Sequence, residues 1–328
     1  MLRIVYMGTP AFAVPALEAL VGGAAPGVVL PEGYEIVTVI TRPDKPSGRN
    51  QEIVYSPVKQ AALAHDLPVA QPGSFKKAEN QALLATYQAD LFIVAAFGQI
   101  LPQAVLDLPR YGTLNIHASL LPRYRGSSPI SEAILQGENE AGVTIMLLDA
   151  GVDTGPMLLR RAIPLTGEET TASLTPRLAD LGAATLLEAL PLWIQGQLIP
   201  QPQDASQASH THMLKKEDGR IDWSRPAEEL ERAVRAYTPW PDAYTTWNGK
   251  QLKILSAHIL PPSPTGSGRP GSVSFDTRMS AGETQKVLRI VTGQGSLLVD
   301  RLQLEGKKAM NADEFMRGYG RIAGDVLK

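Results

Sequence analysis

Apolar runs alternate with amphipathic segments along the first part of the chain. Strands are predicted from the apolar runs LRIVYM, YEIVTVIT, ADLFIVAAF, GTLNIHAS and GVTIMLLD, of which the third is continuous enough for a strand buried on both faces. Helices are predicted from the spacing of apolar residues in AVPALEALV, SPVKQAALAHD, SPISEAILQG and SLTPRLADLGAATLLEALPLWIQG. In the second of these, Ser56 caps a helix that begins at Pro57. This alternation predicts an α/β fold for residues 1–198, with a Rossmann-like, mostly parallel sheet that binds ligands beyond the carboxyl ends of its strands.

The pattern changes near residue 199. Residues 199–212 are polar and hold few apolar positions, which predicts a linker in which His210 and His212 are solvated. A helix in PAEELERAVRAYT is followed by short strands separated by turns, and Asn248-Gly249 is a strong hairpin signal. Residues 213–328 are therefore predicted to form a second domain, a small barrel or sandwich.

Composition and charge narrow the classes of function. The chain has 328 residues and no cysteine, which excludes disulfides, thiolate metal sites and cysteine nucleophiles. It has no apolar run of about 18 residues and opens directly on a strand, so a cytoplasmic protein without membrane contact is expected. Residues 1–208 hold 13 basic and 19 acidic side chains, a net charge of −6, whereas residues 209–328 hold 18 and 14, a net charge of +4. The basic second part weakly favours a polyanionic partner.

Candidate chemistry appears in the segment LNIHASLLPRYRGSSPI. Asn115 and His117 share one face of a predicted strand, because side chains alternate, and an amide beside an imidazole suits stabilisation of an oxyanion. An isolated Asn-x-His is more often a structural pair with a satisfied histidine. Asp149 and Asp153 follow in LLDAGVDTGPML, where a carboxylate either orients His117 and assists proton transfer or caps a turn.

Taken together, NIHASLLPRYRGSSPI and GVTIMLLDAGVDTGPML resemble the folate-dependent formyltransferase family, which shares Asn-x-His-x-Ser-x-Leu-Pro and a later Asp-x-Gly. The resemblance implies that Asn115, His117 and Asp153 form a catalytic trio that uses 10-formyltetrahydrofolate and no metal. It also implies a folate pocket lined by Ser119, Leu120, Leu121 and Pro122, with Phe97 and Ile100 on another side.

The acceptor is indicated by two other segments. The loop TRPDKPSGRNQEIVYSPVK resembles an insertion of the family members that act on methionyl-tRNA, which implies tRNA contacts from Arg42, Lys45 and Arg49. GRIDWSRPAEELERAVRAYTPWPDAY and LEGKKAMNADEF resemble the C-terminal domain of the same members. An OB-like barrel that binds tRNA is therefore implied for residues 213–328, with Lys307 and Lys308 as candidates for phosphate contacts.

Some features favour this acceptor and others depart from the family pattern. Pro10 in MGTPAF removes an N–H donor and disfavours the phosphate-binding loop that purine-pathway members need. Relatives continue the loop after Arg49 with more cations, whereas Asn50, Gln51 and Glu52 follow here, and residues 22–33 look inserted.

The resemblance implies a monomer that transfers a formyl group to the α-amine of methionine on initiator tRNA. Two alternatives stay open: a formyltransferase for an amino-sugar nucleotide or a purine precursor, and a tRNA- or folate-binding module without catalysis. Arg123 and Arg125 either brace the loop after the predicted strand or face the tRNA.

Overall fold

The computed structural model describes residues 1–22, 33–47, 52–261, 268–280 and 283–328. Arg49 and nearly all of the apparent insertion at 22–33 lie outside these ranges. The chain forms two compact units. The first comprises Met1–Pro129, Glu140–Pro164 and Thr175–His212, and the second comprises Ile130–Asn139, Leu165–Leu174 and Met213–Lys328.

Strands and helices alternate through residues 1–212, as the apolar pattern predicts. The strands are β1 (Leu2–Gly8), β2 (Tyr34–Ile40), β3 (Lys45–Ser47), β4 (Glu52–Val54), β5 (Val69–Ala70), β6 (Leu91–Ala95), β7 (Thr113–His117), β8 (Arg125–Gly126), β9 (Glu140–Leu147), β10 (Met157–Pro164) and β11 (His210–Thr211). The helices are α1 (Val14–Val21), α2 (Pro57–Ala64), α3 (Ala78–Thr86), α4 (Gln103–Leu106), α5 (Pro129–Leu135) and α6 (Thr171–Ile194).

The central sheet of the first unit is mostly parallel. Its strand order is β10-β9-β7-β6-β1-β2-β5, with parallel pairing from β7 through β5. Strand β9 runs antiparallel to β7, and β10 runs antiparallel to β9. The predicted, mostly parallel α/β sheet is confirmed. The antiparallel direction of β9 was not predicted, because an apolar run does not encode strand direction, and β10 was not among the predicted strands.

The strand order also fixes where a ligand can bind. Strand β1 lies between β2 and β6, so the order reverses beside it, and the crevice beyond the carboxyl ends of these strands is a topological switch point. Every residue of β6 and of β7 is buried, which places the end of β7 firmly in the core beside that crevice.

Helix α2 begins as its sequence predicts. The Ser56 hydroxyl accepts a hydrogen bond from the Lys59 N–H at 3.2 Å, and Pro57 occupies the first helical position. This cap satisfies one of the N–H groups that every helix leaves unpaired at its start.

The segment 199–212 differs from the predicted linker, because most of it is bonded to the first unit. Gln201 exchanges two backbone hydrogen bonds of 2.8 Å with Met157, and β11 pairs in parallel with β8. Asp204 caps a short 3-10 helix at Ala205–Gln207. Backbone pairing and polar hydrogen bonds thus hold this segment, although most of its residues, His210 and His212 among them, are exposed as the sequence predicts.

The second unit is rich in antiparallel strands. Its later strands and helices are α7 (Ala227–Ala236), β12 (Ala243–Trp247), β13 (Lys250–Leu260), β14 (Val273–Ser280), β15 (Glu283–Val291), β16 (Ser296–Leu304), β17 (Met310–Asn311) and α8 (Ala312–Tyr319). The described pairing runs β12-β13-β16-β15-β14, and β17 joins β16. Asn248 and Gly249 have φ values of 48° and 75° at the β12–β13 hairpin, which confirms the predicted turn.

The helices of the second unit pack on one antiparallel sheet. Helix α7 contacts β13 and β16, and α8 contacts β15 and β16. Trp247, Phe315 and Tyr319 form an aromatic cluster with ring centroids 4.8 to 6.1 Å apart. A β-rich second unit is thus established, while its description as an OB-like barrel stays a prediction. No helix in the described ranges is long and apolar enough to cross a bilayer.

Candidate functional site

The predicted trio begins on strand β7. Asn115 and His117 are two residues apart and project to the same face of the sheet, since side chains alternate along a strand. They are 8% and 5% exposed, so both are held in fixed positions by the surrounding core. His117 is the last residue of β7, which places its ring at the carboxyl end of the parallel sheet.

Asp153 meets both side chains, although 38 residues separate it from Asn115 in sequence. Its Oδ1 accepts a hydrogen bond of 3.4 Å from the Asn115 amide, and its Oδ2 lies 3.6 Å from Nδ1 of His117. The Gly126 N–H donates to Oδ2 at 2.8 Å, and the Asp153 side chain is 14% exposed. The structure therefore brings the three residues together around one carboxylate.

The ring orientation of His117 follows from its other contact. Nε2 lies 2.9 Å from the Tyr124 carbonyl oxygen, which can only accept, so Nε2 carries a hydrogen. This leaves Nδ1 facing the Asp153 carboxylate at a distance too long for a direct hydrogen bond. A donor group that reaches both from the side would satisfy both.

Asp149 and Asp153 have different roles in the loop after β9. Oδ1 of Asp149 accepts hydrogen bonds from the Gly151 N–H at 3.0 Å and from the Thr154 hydroxyl at 2.6 Å. This turn leaves Asp149 exposed and winds the loop so that Asp153, with φ of 51°, points inward. The turn-capping interpretation is therefore correct for Asp149, and the site interpretation is supported by geometry for Asp153 alone.

The residues predicted to line a folate pocket differ in burial. Leu121 is 0% exposed and packs in a small apolar cluster with Met146 and Met157. Ser119 is also buried, and its hydroxyl donates to the Arg123 carbonyl at 2.6 Å. Pro122 is also buried, and Leu120 is half-buried over Gly142. The four predicted residues build the loop beside the trio, and Leu120 retains the most solvent-accessible surface among them.

Phe97 and Ile100 separate after strand β6. The Phe97 ring is 2% exposed and packs on Phe75 at a centroid distance of 6.1 Å, so it supports the crevice from within the core. Ile100 is 69% exposed and is free to contact a ligand at the surface. The structure thus places the two side chains in different surroundings.

Two of the predicted cations of the first unit, Arg42 and Lys45, lie in the described residues. Arg42 is exposed, and its Nη1 lies 3.6 Å from the position that a Cβ on Gly98 would take, just beyond the end of β6. Lys45 is exposed in β3. Lys59 is instead half-buried in an ion pair with Asp44. In the second unit, Lys307 and Lys308 are both exposed in the turn between β16 and β17.

The two arginines after β7 also differ. Arg125 is 7% exposed and donates from Nε to the Gln203 side chain at 2.9 Å, so it braces the loop. Arg123 is exposed, and its guanidinium lies 4.9 Å from the ring centre of Tyr124.

Sequence reasoning missed three residues that support the trio. Thr144, buried on β9, donates to the Ser119 carbonyl at 2.7 Å and accepts from the Leu121 N–H at 3.1 Å. Gln203 and Ser209 lie in the predicted linker and bond to the loops of Asp153 and His117. The polar composition of residues 199–212 is a signal for Gln203 and Ser209, whereas Thr144 lies in the apolar run of β9 and has no such signal.

Comparisons with known proteins identify the family of the chain. The family described as formyl transferase matches residues 2–190, and the formyl transferase C-terminal domain matches residues 213–320. A methionyl-tRNA formyltransferase of Pseudomonas fluorescens (strain SBW25) is 47% identical over 94% of this chain and 92% of its own. One from Citrifermentans bemidjiense is 44% identical over 99% of this chain and 96% of its own.

A solved structure shows the same fold at low identity. The N-formyltransferase from Helicobacter canadensis, in complex with folinic acid and dTDP-3-aminofucose, is similar with a TM-score of 0.62 and 18% identity. The similarity covers 91% of this chain and 99% of that one.

Proposed function

This chain belongs to the formyl transferase family, among the methionyl-tRNA formyltransferases, and we propose that it transfers a formyl group from 10-formyltetrahydrofolate to the α-amine of methionyl-initiator tRNA. The product is N-formylmethionyl-tRNA for translation initiation. The observation that carries the chemistry is the convergence of Asn115 and His117 on the Asp153 carboxylate at the carboxyl end of the sheet.

In the proposed reaction, the neutral amine attacks the formyl carbon. A C–N bond forms while the carbonyl electron pair moves onto oxygen, and the Asn115 amide donates a hydrogen bond to that oxyanion. The amine donates an N–H to Nδ1 of His117 and the Asp153 carboxylate from beside the gap that separates them, and it loses this proton to Nδ1. The protonated Nδ1 of His117 then becomes a second donor to the oxyanion. Collapse of the intermediate breaks the C–N bond to the folate nitrogen, which takes the proton from Nδ1 of His117 and returns the ring to its starting form.

The folate co-substrate is proposed to lie in the crevice between β6, β7 and the loop from Ser119 to Pro122. Leu120 and exposed Ile100 supply apolar surface, whereas Phe97 and Leu121 act from behind by fixing the walls. A site without a metal is part of this proposal, because a carboxylate, an imidazole and an amide are sufficient for the proton transfer and the oxyanion.

Acceptor recognition is proposed to rest on basic side chains of both units. Arg42 lies beside the end of β6, and Lys45 and Arg49 belong to the same loop, while Lys307 and Lys308 sit on the second unit. Their charges suit phosphate contacts, which predict affinity for tRNA that falls with salt. An OB-like barrel, a monomeric state and a cytoplasmic location complete the proposal, in keeping with the full-length similarity to translation enzymes.

The proposal is tested by acceptor choice. Radiolabelled formyl transfer from 10-formyltetrahydrofolate is measured with methionyl-initiator tRNA, free methionine, an amino-sugar nucleotide and glycinamide ribonucleotide. Transfer to the tRNA alone is expected. Preferred transfer to one of the small acceptors would reject the proposed substrate, and binding of tRNA or folate without transfer would reject an enzyme.

The role of the second unit has its own measurement. The double substitution Lys307→Ala and Lys308→Ala is expected to weaken tRNA binding and to reduce the slope of log affinity against log salt by about one for each phosphate that is no longer neutralised. Folate affinity is expected to be unchanged. The matched control is Lys76→Ala with Lys77→Ala, a second exposed pair that belongs to the first unit. An equal effect of both pairs would contradict a specific contact at Lys307 and Lys308.

A further inference from the structure

Gln203 connects the loop that carries Asp153 with the segment that follows His117. Its Nε2 donates to the carbonyl oxygens of Asp153 at 2.8 Å and Gly155 at 2.7 Å, and its Oε1 accepts from Nε of Arg125 at 2.9 Å. Arg125 is the residue before Gly126, whose N–H donates to the Asp153 carboxylate. One carboxamide therefore fixes the loop after β9 against the strand that follows the His117 loop.

Ser209 makes two hydrogen bonds to the segment that follows His117. Its hydroxyl accepts from the Tyr124 N–H at 2.9 Å, and its carbonyl accepts from the Arg125 N–H at 2.9 Å. Tyr124 has φ of 62°, a backbone conformation that is unfavourable for a bulky residue unless its surroundings hold it. The Tyr124 carbonyl in turn accepts the hydrogen of His117 Nε2. The Ser209 backbone carbonyl therefore holds the peptide whose oxygen orients the ring, and the Ser209 hydroxyl holds the peptide before it, at Tyr124.

On the basis of the proposed function, we propose that Gln203 and Ser209 are positioning residues that hold His117 and Asp153 at their working separation. Gln203 sets the carboxylate through the backbone of its loop, and Ser209 sets the imidazole through Tyr124. Neither side chain bonds to Asn115, His117 or the Asp153 carboxylate itself, so neither is a catalytic residue. Their effect is on geometry, to which the rate of an oriented reaction is steeply sensitive.

This role explains the composition of residues 199–212. A loose connector needs no particular polar group at any one position, whereas here a carboxamide and a hydroxyl meet defined backbone partners. The pairing of β11 with β8 keeps the segment in register with the His117 loop, because His210 pairs with Arg125 and Thr211 pairs with Gly126.

Substitutions of Gln203 separate its two functions as donor and acceptor. Gln203→Glu keeps an acceptor for Arg125 but has no N–H for the two carbonyls, while Gln203→Met removes both at similar length. The matched control is Gln201→Ala, because that side chain is exposed and its backbone makes the bonds to Met157. Both Gln203 variants are expected to lower kcat on the order of 10- to 100-fold with KM values unchanged, and the control is expected to keep wild-type kcat.

Ser209 offers a conservative rescue. Ser209→Ala removes the acceptor of the Tyr124 N–H and is expected to lower kcat by a similar factor, whereas Ser209→Thr keeps a hydroxyl at the same place and is expected to restore it. Far-UV circular dichroism and thermal unfolding establish that each variant is folded. If Ser209→Ala does not fold, Gln203→Met provides the same comparison from the other loop.

A second readout is independent of the acceptor. The imidazole ¹⁵N signals of His117, assigned with His117→Gln, are expected to move in Gln203→Glu and Ser209→Ala and to stay in place in Gln201→Ala. Failure of the wild-type chain to formylate methionyl-tRNA would overturn the proposed function but leave this measurement informative. Unchanged His117 signals, wild-type kcat in both variants, or a rise in KM at constant kcat would overturn the positioning role.

Discussion

Replacing Asn115 by alanine tests the oxyanion assignment most directly. The amide makes one described hydrogen bond, of 3.4 Å, to Asp153, which is longer than the usual N–H···O distance. A typical bond contributes about 0.5 to 1.5 kcal/mol net, so the loss of this long one is expected to lower the free energy of unfolding by no more than about 1 kcal/mol. Loss of one donor to an oxyanion costs about 2.7 to 4 kcal/mol of transition-state stabilisation, on the order of 100- to 1,000-fold in kcat.

The two costs therefore separate stability from catalysis. Formyl transfer to methionyl-tRNA gives kcat and both KM values, and urea unfolding gives the stability of the same preparation. Thr113 provides the matched control, because it lies two residues earlier on the same face of β7. Its hydroxyl is buried and has no hydrogen-bond partner in the described part of the chain, so Thr113→Val is expected to keep the rate and to preserve or raise stability.

Two results would refute this reasoning. An Asn115→Ala protein that is folded and keeps kcat near wild type would remove Asn115 from the oxyanion site. A rate loss of the same size in Thr113→Val would show that the face of β7 responds to any substitution, whatever its hydrogen bonds.

Two further predictions concern backbone crowding and pH. A Cβ on Gly126, which has a φ of 106°, would lie 2.5 Å from the Thr211 carbonyl oxygen. Gly126→Ala is therefore expected to lower the free energy of unfolding by about 1 to 3 kcal/mol. Gly73→Ala is the control and is expected to leave the thermal midpoint unchanged, because no atom lies within 4 Å of the position of its Cβ. A hydrogen bond from Lys59 holds the pKa of Asp44 below its ordinary value. The ionised carboxylate therefore stabilises the folded state at pH values above about 4, and this stabilisation is lost as the pH falls through the pKa of Asp44 in the folded protein. Asp44→Asn is thus expected to lower stability by less than about 1 kcal/mol at neutral pH and to match the wild type in acid; a constant difference in urea unfolding from neutral to acidic pH would contradict this.

Much of the sheet could be predicted because its strands are buried on both faces. The continuous apolar run that becomes β6 has no other stable environment in a chain of this kind, and the Ser56 and Pro57 signals mark the start of α2 without tertiary information. Strand direction is a different matter. Strands β7 and β9 have the same apolar character, yet one is parallel to its neighbour β6 and the other is antiparallel to β7, because direction depends on the path of the connecting chain.

The candidate site divides in the same way. Asn115 and His117 could be assigned to one face from strand periodicity, since that relation is local. The choice between Asp149 and Asp153 could not be made from spacing, because it depends on a turn that directs one carboxylate to solvent and the other inward. Gln203 could not be predicted either, because its role depends on hydrogen bonds to backbone carbonyls, and side chains of this kind follow no periodic pattern in the sequence.

The composition of the second unit has a consequence for how the protein is made. Its residues 130–139 and 165–174 are synthesised before Met213–Lys328. The Glu169 carbonyl accepts a hydrogen bond from Arg235, which is synthesised 66 residues later, a delay of roughly 3 to 13 seconds at about 5 to 20 residues per second. During translation these early segments are therefore present before the residues of the second unit that they contact, and the second unit is completed only after α7 has been synthesised.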